Sequence, residues 1–249
     1  MISSTKAIVL NKKNFGDTSL ICNLYSHEYG KISVIAKGAK TIKNTLGAML
    51  QPLNHIECIY YYKSKRNIQI IKEATIINKF FNIEKDYLKM RYALTVIDIV
   101  QHIHYVESPS KIIFRLLNKV LNHINDYENN KTLLLYIFFQ LQCLIYLGYY
   151  PAIEKCDQCD NKLDSASLNY QSGQLVCNQC NESNSPDLNK FNLKMINHLM
   201  TTHIDDTINN LKFNQKELNK IDNFLYKYIL YHIPDIKKSK AFLSLNNEK

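Results

Sequence analysis

Through the first 79 residues apolar and polar positions alternate in short runs, and near residue 82 the period changes to that of a helix. Residues 6–10 (KAIVL), 17–25 (DTSLICNLY), 31–36 (KISVIA), 53–62 and 67–77 read as five strands separated by turn signals at Gly16, Gly30 and the charged 63–66 (KSKR). Residues 40–50, after the third strand, suit a short helix. Five strands with a helix after the third is the layout of an OB-fold, and on strand pattern alone an SH3-like barrel competes with it.

Beyond the barrel, Tyr87, Met90, Leu94, Ile97 and Val100 recur at helical spacing. Ser108-Pro109 opens a second helix with Ile112, Ile113, Leu116, Leu117, Val120 and Leu121 on one face. Residues 131–147 are apolar on most sides and read as a central buried helix, capped by Gly148 and stopped by Pro151. A cysteine-rich segment follows, with a hairpin expected over 170–176. After a turn at 183–186 come helices near 188–203 and 214–232. The predicted class is α+β: an OB-fold barrel over 1–80, a helical domain over 81–154 and 185–236, a cysteine module inserted at 155–184, and a loose tail at 237–249.

The net charge of +9 sharpens this division. Residues 1–79 carry 12 Lys+Arg against 4 Asp+Glu, whereas residues 151–249 carry 12 against 12. Segregated positive charge points to a polyanionic partner. The apolar runs read as too short to span a bilayer and the N-terminus lacks the layout of a signal peptide, so the expectation is a cytoplasmic protein without a membrane partner.

Cys156, Cys159, Cys177 and Cys180 form C-x2-C-x17-C-x2-C. Two short-gap thiolate pairs close a tetrahedron of the kind zinc takes from sulfur, and four protein ligands leave no position for water. One structural Zn2+ is expected. A redox site needs only one such pair, at a helix start in a βαβ setting. Cys22, Cys58 and Cys143 are singletons in apolar stretches and read as buried thiols.

Lys12, Lys13, Lys31, Lys37, Lys40, Lys43, Lys65 and Arg66 are the candidate DNA contacts, with Lys63 nearby and Phe15, Tyr60, Tyr61 and Tyr62 as stacking rings. Lys111, Arg115 and Lys119 recur every four residues, the polar side of an amphipathic helix or a seat for an acidic, apolar-tipped peptide. The eight histidines, His104 among them, show no triad or ligand spacing, and Gly-x-Gly-x-x-Gly and the nucleophile elbow are absent, so no catalytic residue is assigned and no small-molecule substrate is expected.

These residues also carry a family resemblance. Ala7-Ile8-Val9-Leu10, Gly16-Asp17-Thr18, Tyr29-Gly30-Lys31 leading into Ala36-Lys37-Gly38-Ala39-Lys40, Leu50-Gln51-Pro52, Leu147-Gly148-Tyr149 with Pro151, and Ser172-Gly173 running into Cys177-x2-Cys180 resemble, in order and spacing, RecO, the bacterial DNA repair and recombination mediators of the RecF pathway. The turn at 62–66 departs from that pattern in having no glycine. The resemblance implies an OB-fold, a helical domain and a zinc module. It also implies binding of single- and double-stranded DNA, annealing of complementary strands, and partnership with RecR and with the acidic tail of single-stranded DNA-binding protein (SSB) during RecA loading. That makes the chain a non-enzymatic, nucleoid-associated repair mediator. The competing expectation is a protein-interaction adaptor whose barrel touches DNA only indirectly.

Overall fold

A strand closes a small barrel only when it pairs on both sides, and the first strand of this protein is long enough to do so. The computed structural model describes residues 1–103, 111–181, 187–210 and 213–247. Strand β1 (Ile2–Phe15) pairs antiparallel through Ile2–Ile8 with β4 (His55–Tyr61) and through Ala7–Phe15 with β2 (Ser19–Ser26). A register shift between Val9 and Asn11 turns it from one partner to the other. Strand β3 (Gly30–Ala36) follows β2, and β5 (Ile68–Asn78) runs parallel to β3 and antiparallel to β4, giving the closed order β1-β2-β3-β5-β4. That closed five-stranded barrel is the expected OB-fold. Its interior alternates along each strand: Ala7 and Val9, Leu20, Cys22 and Leu24, Val34 and Ala36, Ile56, Cys58 and Tyr60. The short helix α1 (Leu46–Met49) follows β3 as expected; Ala39 and Leu50 on either side of it complete the core.

Two compact units make up the chain. The first contains 1–127 together with 239–245, the second 128–238 with 246–249. The expected boundary near residue 80 is therefore a boundary of the barrel and not of the compact unit. Helices α2 (Phe81–Lys85), α3 (Tyr87–His102) and α4 (Lys111–Asp126) belong with the barrel. Asp86 caps α3 by accepting from the Lys89 amide. The face of α3 that is buried runs through Tyr92, Ala93, Val96, Ile97 and Val100, while Tyr87 and Leu94 are exposed, so the expected apolar stripe is rotated. On α4 the buried line is Ile113, Phe114, Leu117, Val120, Leu121 and Ile124, leaving Ile112 exposed. The expected helix start at Ser108-Pro109, the turn at 183–186 and His104 lie outside the described residues.

In the second unit the buried helix α5 (Thr132–Leu147) ends at Gly148, whose φ of 77° supplies the left-handed cap. By length and composition Asn129–Leu147 would suit a membrane crossing, contrary to the expectation that every apolar run is too short, yet 67% of its apolar 18-residue window is buried in the protein. Packed on α5 are α6 (Lys190–Thr201), α7 (Ile204–Asn210) and α8 (Gln215–His232). Asn189 and Asn192 form a capping box at the start of α6, and both donate to the Glu217 carboxylate of α8. The loose tail expected from residue 237 is a correction: Lys240–Asn247 form α9, with Phe242 and Leu245 buried. Ser239 Oγ accepts from the Phe242 amide and donates to Asp98 of α3 at 2.6 Å, so this segment belongs to the first unit. Its polar composition hides two apolar side chains one helical turn apart.

Candidate nucleic-acid interface and metal centre

The basic residues of the barrel fall into two groups. Lys12 and Lys13 end β1, and Lys37, Lys40 and Lys43 stand exposed on the loop between β3 and α1. Strand register brings these together. Leu20 pairs with Ala36, and the Lys40 amide donates to Thr18 O at 2.9 Å, joining this loop to the β1–β2 turn. The loop is braced from within. Asn44 donates to Lys37 O, its Oδ1 accepts from the Leu46 amide, and Gly47 sits so close to Ala39 O that a Cβ would stand 2.3 Å from it. Lys12 donates to Gln51. The second group, Lys65 and Arg66, lies on the β4–β5 turn, near the start of β3, because Ser33 pairs with Ile68. Seven residues of β3 at about 3.3 Å each separate the groups by roughly 20 Å.

Between them, on the outward side of β1, β2 and β3, runs a hydrogen-bonded polar row. Asn23 Nδ2 donates to Asn11 Oδ1 at 3.1 Å, and Ser33 Oγ donates to Asn23 Oδ1 at 2.7 Å. Lys31 has another place than the expected one. Its ammonium donates to the carbonyls of Gln101 and Ile103, satisfying the C-terminal end of α3. Tyr60 is also corrected: it is 1% exposed and faces the barrel core, while Tyr61, Tyr62 and Phe15 are exposed.

The four cysteines converge in the second unit. Their sulfurs all lie within 4.8 Å of one another, and Cys159 and Cys177 Sγ are 3.8 Å apart. Zinc–sulfur bonds of about 2.3 Å place tetrahedral ligands about 3.8 Å apart, so the donor set fits one such ion. Each pair is folded as a tight turn, with Asp160 N donating to Cys156 O and Cys180 N to Cys177 O. Burial raises the Cys156 thiol, but the backbone amides of Cys177, Gln158 and Cys159 outweigh it and bring it down to about 6. Cys180, hydrogen-bonded to Cys159 and desolvated, is pushed up to about 12. Four adjacent sulfurs resist joint ionisation, which a divalent cation relieves. Between the pairs, β6 (Ser167–Leu168) and β7 (Leu175–Val176) form the expected hairpin. Gly173 at its tip has φ 73° and lies under Tyr231, where a Cβ would come within 2.1 Å of the ring. Tyr231 OH donates to Gln171 O, and His232 meets Gly173 O at 2.8 Å.

The barrel, the buried helix and the cysteine module match two family models, Recombination protein O N terminal over residues 1–80 and Recombination protein O C terminal over 84–241. The chain belongs to the recombination protein O family. Relatives named DNA repair protein RecO include that of Alkaliphilus metalliredigens, 25% identical over 236 residues and 94% of each chain. That of Caldicellulosiruptor bescii is 26% identical over 90% of this chain and 91% of its own, and that of Salinibacter ruber 31% identical over 62% and 59%.

For this RecO family member, the sequence pattern anticipated that the four cysteines come together and that the loop lysines are basic positions of the barrel, which the structure leaves exposed. It missed Asn11, Asn23 and Ser33, whose signal is faint: polar residues at outward strand positions carry meaning only once register sets them side by side. Lys111, Arg115 and Lys119 are exposed along α4, beside the exposed Ile112. The three singleton thiols are buried, and burial first raises Cys22 to about 11 and Cys58 to about 12.

Proposed function

We propose that this protein is a non-enzymatic recombination mediator whose barrel binds single- and double-stranded DNA and anneals complementary strands. The observation that carries this reading is the pair of basic groups joined across β1, β2 and β3 by the Asn11–Asn23–Ser33 row. Ammonium groups at both ends neutralise phosphates, and the polar row between them offers donors and acceptors without an apolar barrier. Annealing then follows from reduced backbone repulsion and needs no nucleotide hydrolysis. Family membership supports the further steps: partnership with RecR, contact with the SSB tail, and RecA loading on SSB-coated strands in the cytoplasm, near the nucleoid. The Lys111–Arg115–Lys119 stripe, with Ile112 beside it, is the proposed seat for that acidic tail. Zinc is the proposed ion of the cysteine site, held by Cys156, Cys159, Cys177 and Cys180 as a structural clip.

Charge reversal tests the surface directly. Lys37→Glu with Lys40→Glu should weaken binding to a short single strand and reduce the steepness of the log affinity against log salt plot by about one to two. Unchanged affinity and slope in a salt-titrated anisotropy measurement would refute the loop as a phosphate contact. Strand annealing without nucleotide, with and without SSB, tests the activity.

A further inference from the structure

We infer that the concavity beside the β4–β5 turn seats a single unpaired nucleobase, stacked on Tyr62 and Tyr29 with its phosphate against Arg66. This rests on the barrel being the DNA-binding surface and adds a base-reading subsite to it. The cavity has a volume of about 390 Å3, within the range of small-ligand pockets, and Tyr29, Tyr60, Tyr62, Arg66, Asn67 and Ser33 contribute to its lining.

Three features give it the chemistry of a base site. Tyr29 and Tyr62 are 47% and 42% exposed, large rings kept open to solvent on a surface where Tyr60 is buried. Tyr60 supports the Tyr29 ring edge-on, 6.5 Å between centroids at 90°, so that ring is held in place. The turn is also fixed before any ligand arrives. The buried Gln69 side chain accepts from the Lys63 amide and donates to Lys63 O and Arg66 O, while Tyr62 N donates to Met1 O at 2.8 Å. A Tyr29 ring already held and a Tyr62 backbone already fixed lose little entropy on stacking.

Charge and continuity select the occupant. Arg66, with Lys63 and Lys65 on the same turn, suits a phosphate, and Asn67 can pair with a base edge. Ser33, the last member of the polar row, also lines the cavity, so a strand tracking that row arrives at the rings. In a duplex both base faces are covered by neighbours, which makes the site selective for unpaired strands.

The test uses the full chain with a short all-thymidine strand, the same strand without bases, and a duplex. Wild type should prefer the thymidine strand over the abasic one by roughly 5- to 100-fold, the range of one base stacked on an aromatic ring. Tyr62→Leu should abolish that preference while leaving duplex and abasic-strand affinities within about twofold, and Tyr62→Phe should retain it. Equal preference in Tyr62→Leu and wild type would overturn the base site while leaving the DNA-binding barrel standing. Absence of binding to all three probes by wild type would overturn both. Matching circular dichroism of the half-exposed Tyr62 variants separates lost stacking from lost fold.

Discussion

His55 lies on β4, 7% exposed, edge-on to Phe114 at 5.7 Å, with Nε2 buried and without a hydrogen-bond partner among the described residues. Burial first, and the Lys6 charge second, lower its pKa from 6.5 to about 4. The unfolded chain therefore takes up this proton more readily than the folded one. Stability from the neutral ring is complete above about pH 6.5 and is lost as pH falls toward 4, up to roughly 3 kcal/mol. Denaturant unfolding between pH 7 and pH 5 should show this decline in the first unit, and His55→Leu should flatten it. An undiminished slope in the variant would assign the effect to other groups. Burial of this kind was not legible in the sequence, where His55 alternates with Ile56 on the same strand face as Glu57; nor was the place of Lys31, whose partners are 70 and 72 residues away.

Among elements, the cysteine module was the most legible, because its chemistry is written in local spacing. Its support was not. Gly173 needs a left-handed φ, which a hairpin tip suggests, but the Tyr231 ring above it comes from 58 residues later on α8. Strand β1 shows the complementary limit: residues 6–10 carry a strand pattern, yet its continuation through Lys12, Lys13, Asn14 and Phe15 is not marked, because those residues are exposed and do not alternate. Since the proposed metal site would be closed by four sulfurs and its cysteines lie in the second unit, Cys156→Ser should act on stability. We expect lost metal content and a Tm lower by roughly 10 °C for that unit, with single-strand affinity changed less than twofold. A larger loss of affinity than of stability would make the module a direct DNA reader. Metal analysis, melting and anisotropy on one preparation decide the matter.

At the scale of the molecule, the barrel and the succession from strands to helices were visible as a change of period, and the charge segregation marked which part was basic. The partition into units was not visible, since a compact unit is defined by packing that periodicity does not encode. Helices α2 to α4 and residues 239–245 join the barrel's unit although the chain builds most of another unit between them. Phe242 is fully buried there, and Asp98 accepts from Ser239 Oγ and the Ala241 amide. Phe242→Ala should destabilise the first unit by about 3–5 kcal/mol. Hydrogen exchange should show faster exchange in α3 and the barrel with the second unit's protection unchanged; uniform loss across both units would contradict the partition.

The return of Ser239 to Asp98 also sets an order of events during synthesis. The barrel's strands are all present once residue 78 has left the ribosome, but the unit that contains them lacks residues 239–245 until the intervening second unit has been made. A chain lacking only residues 239–245 would thus carry every proposed DNA contact and all four cysteines of the proposed metal site, with the packing around α3 left open.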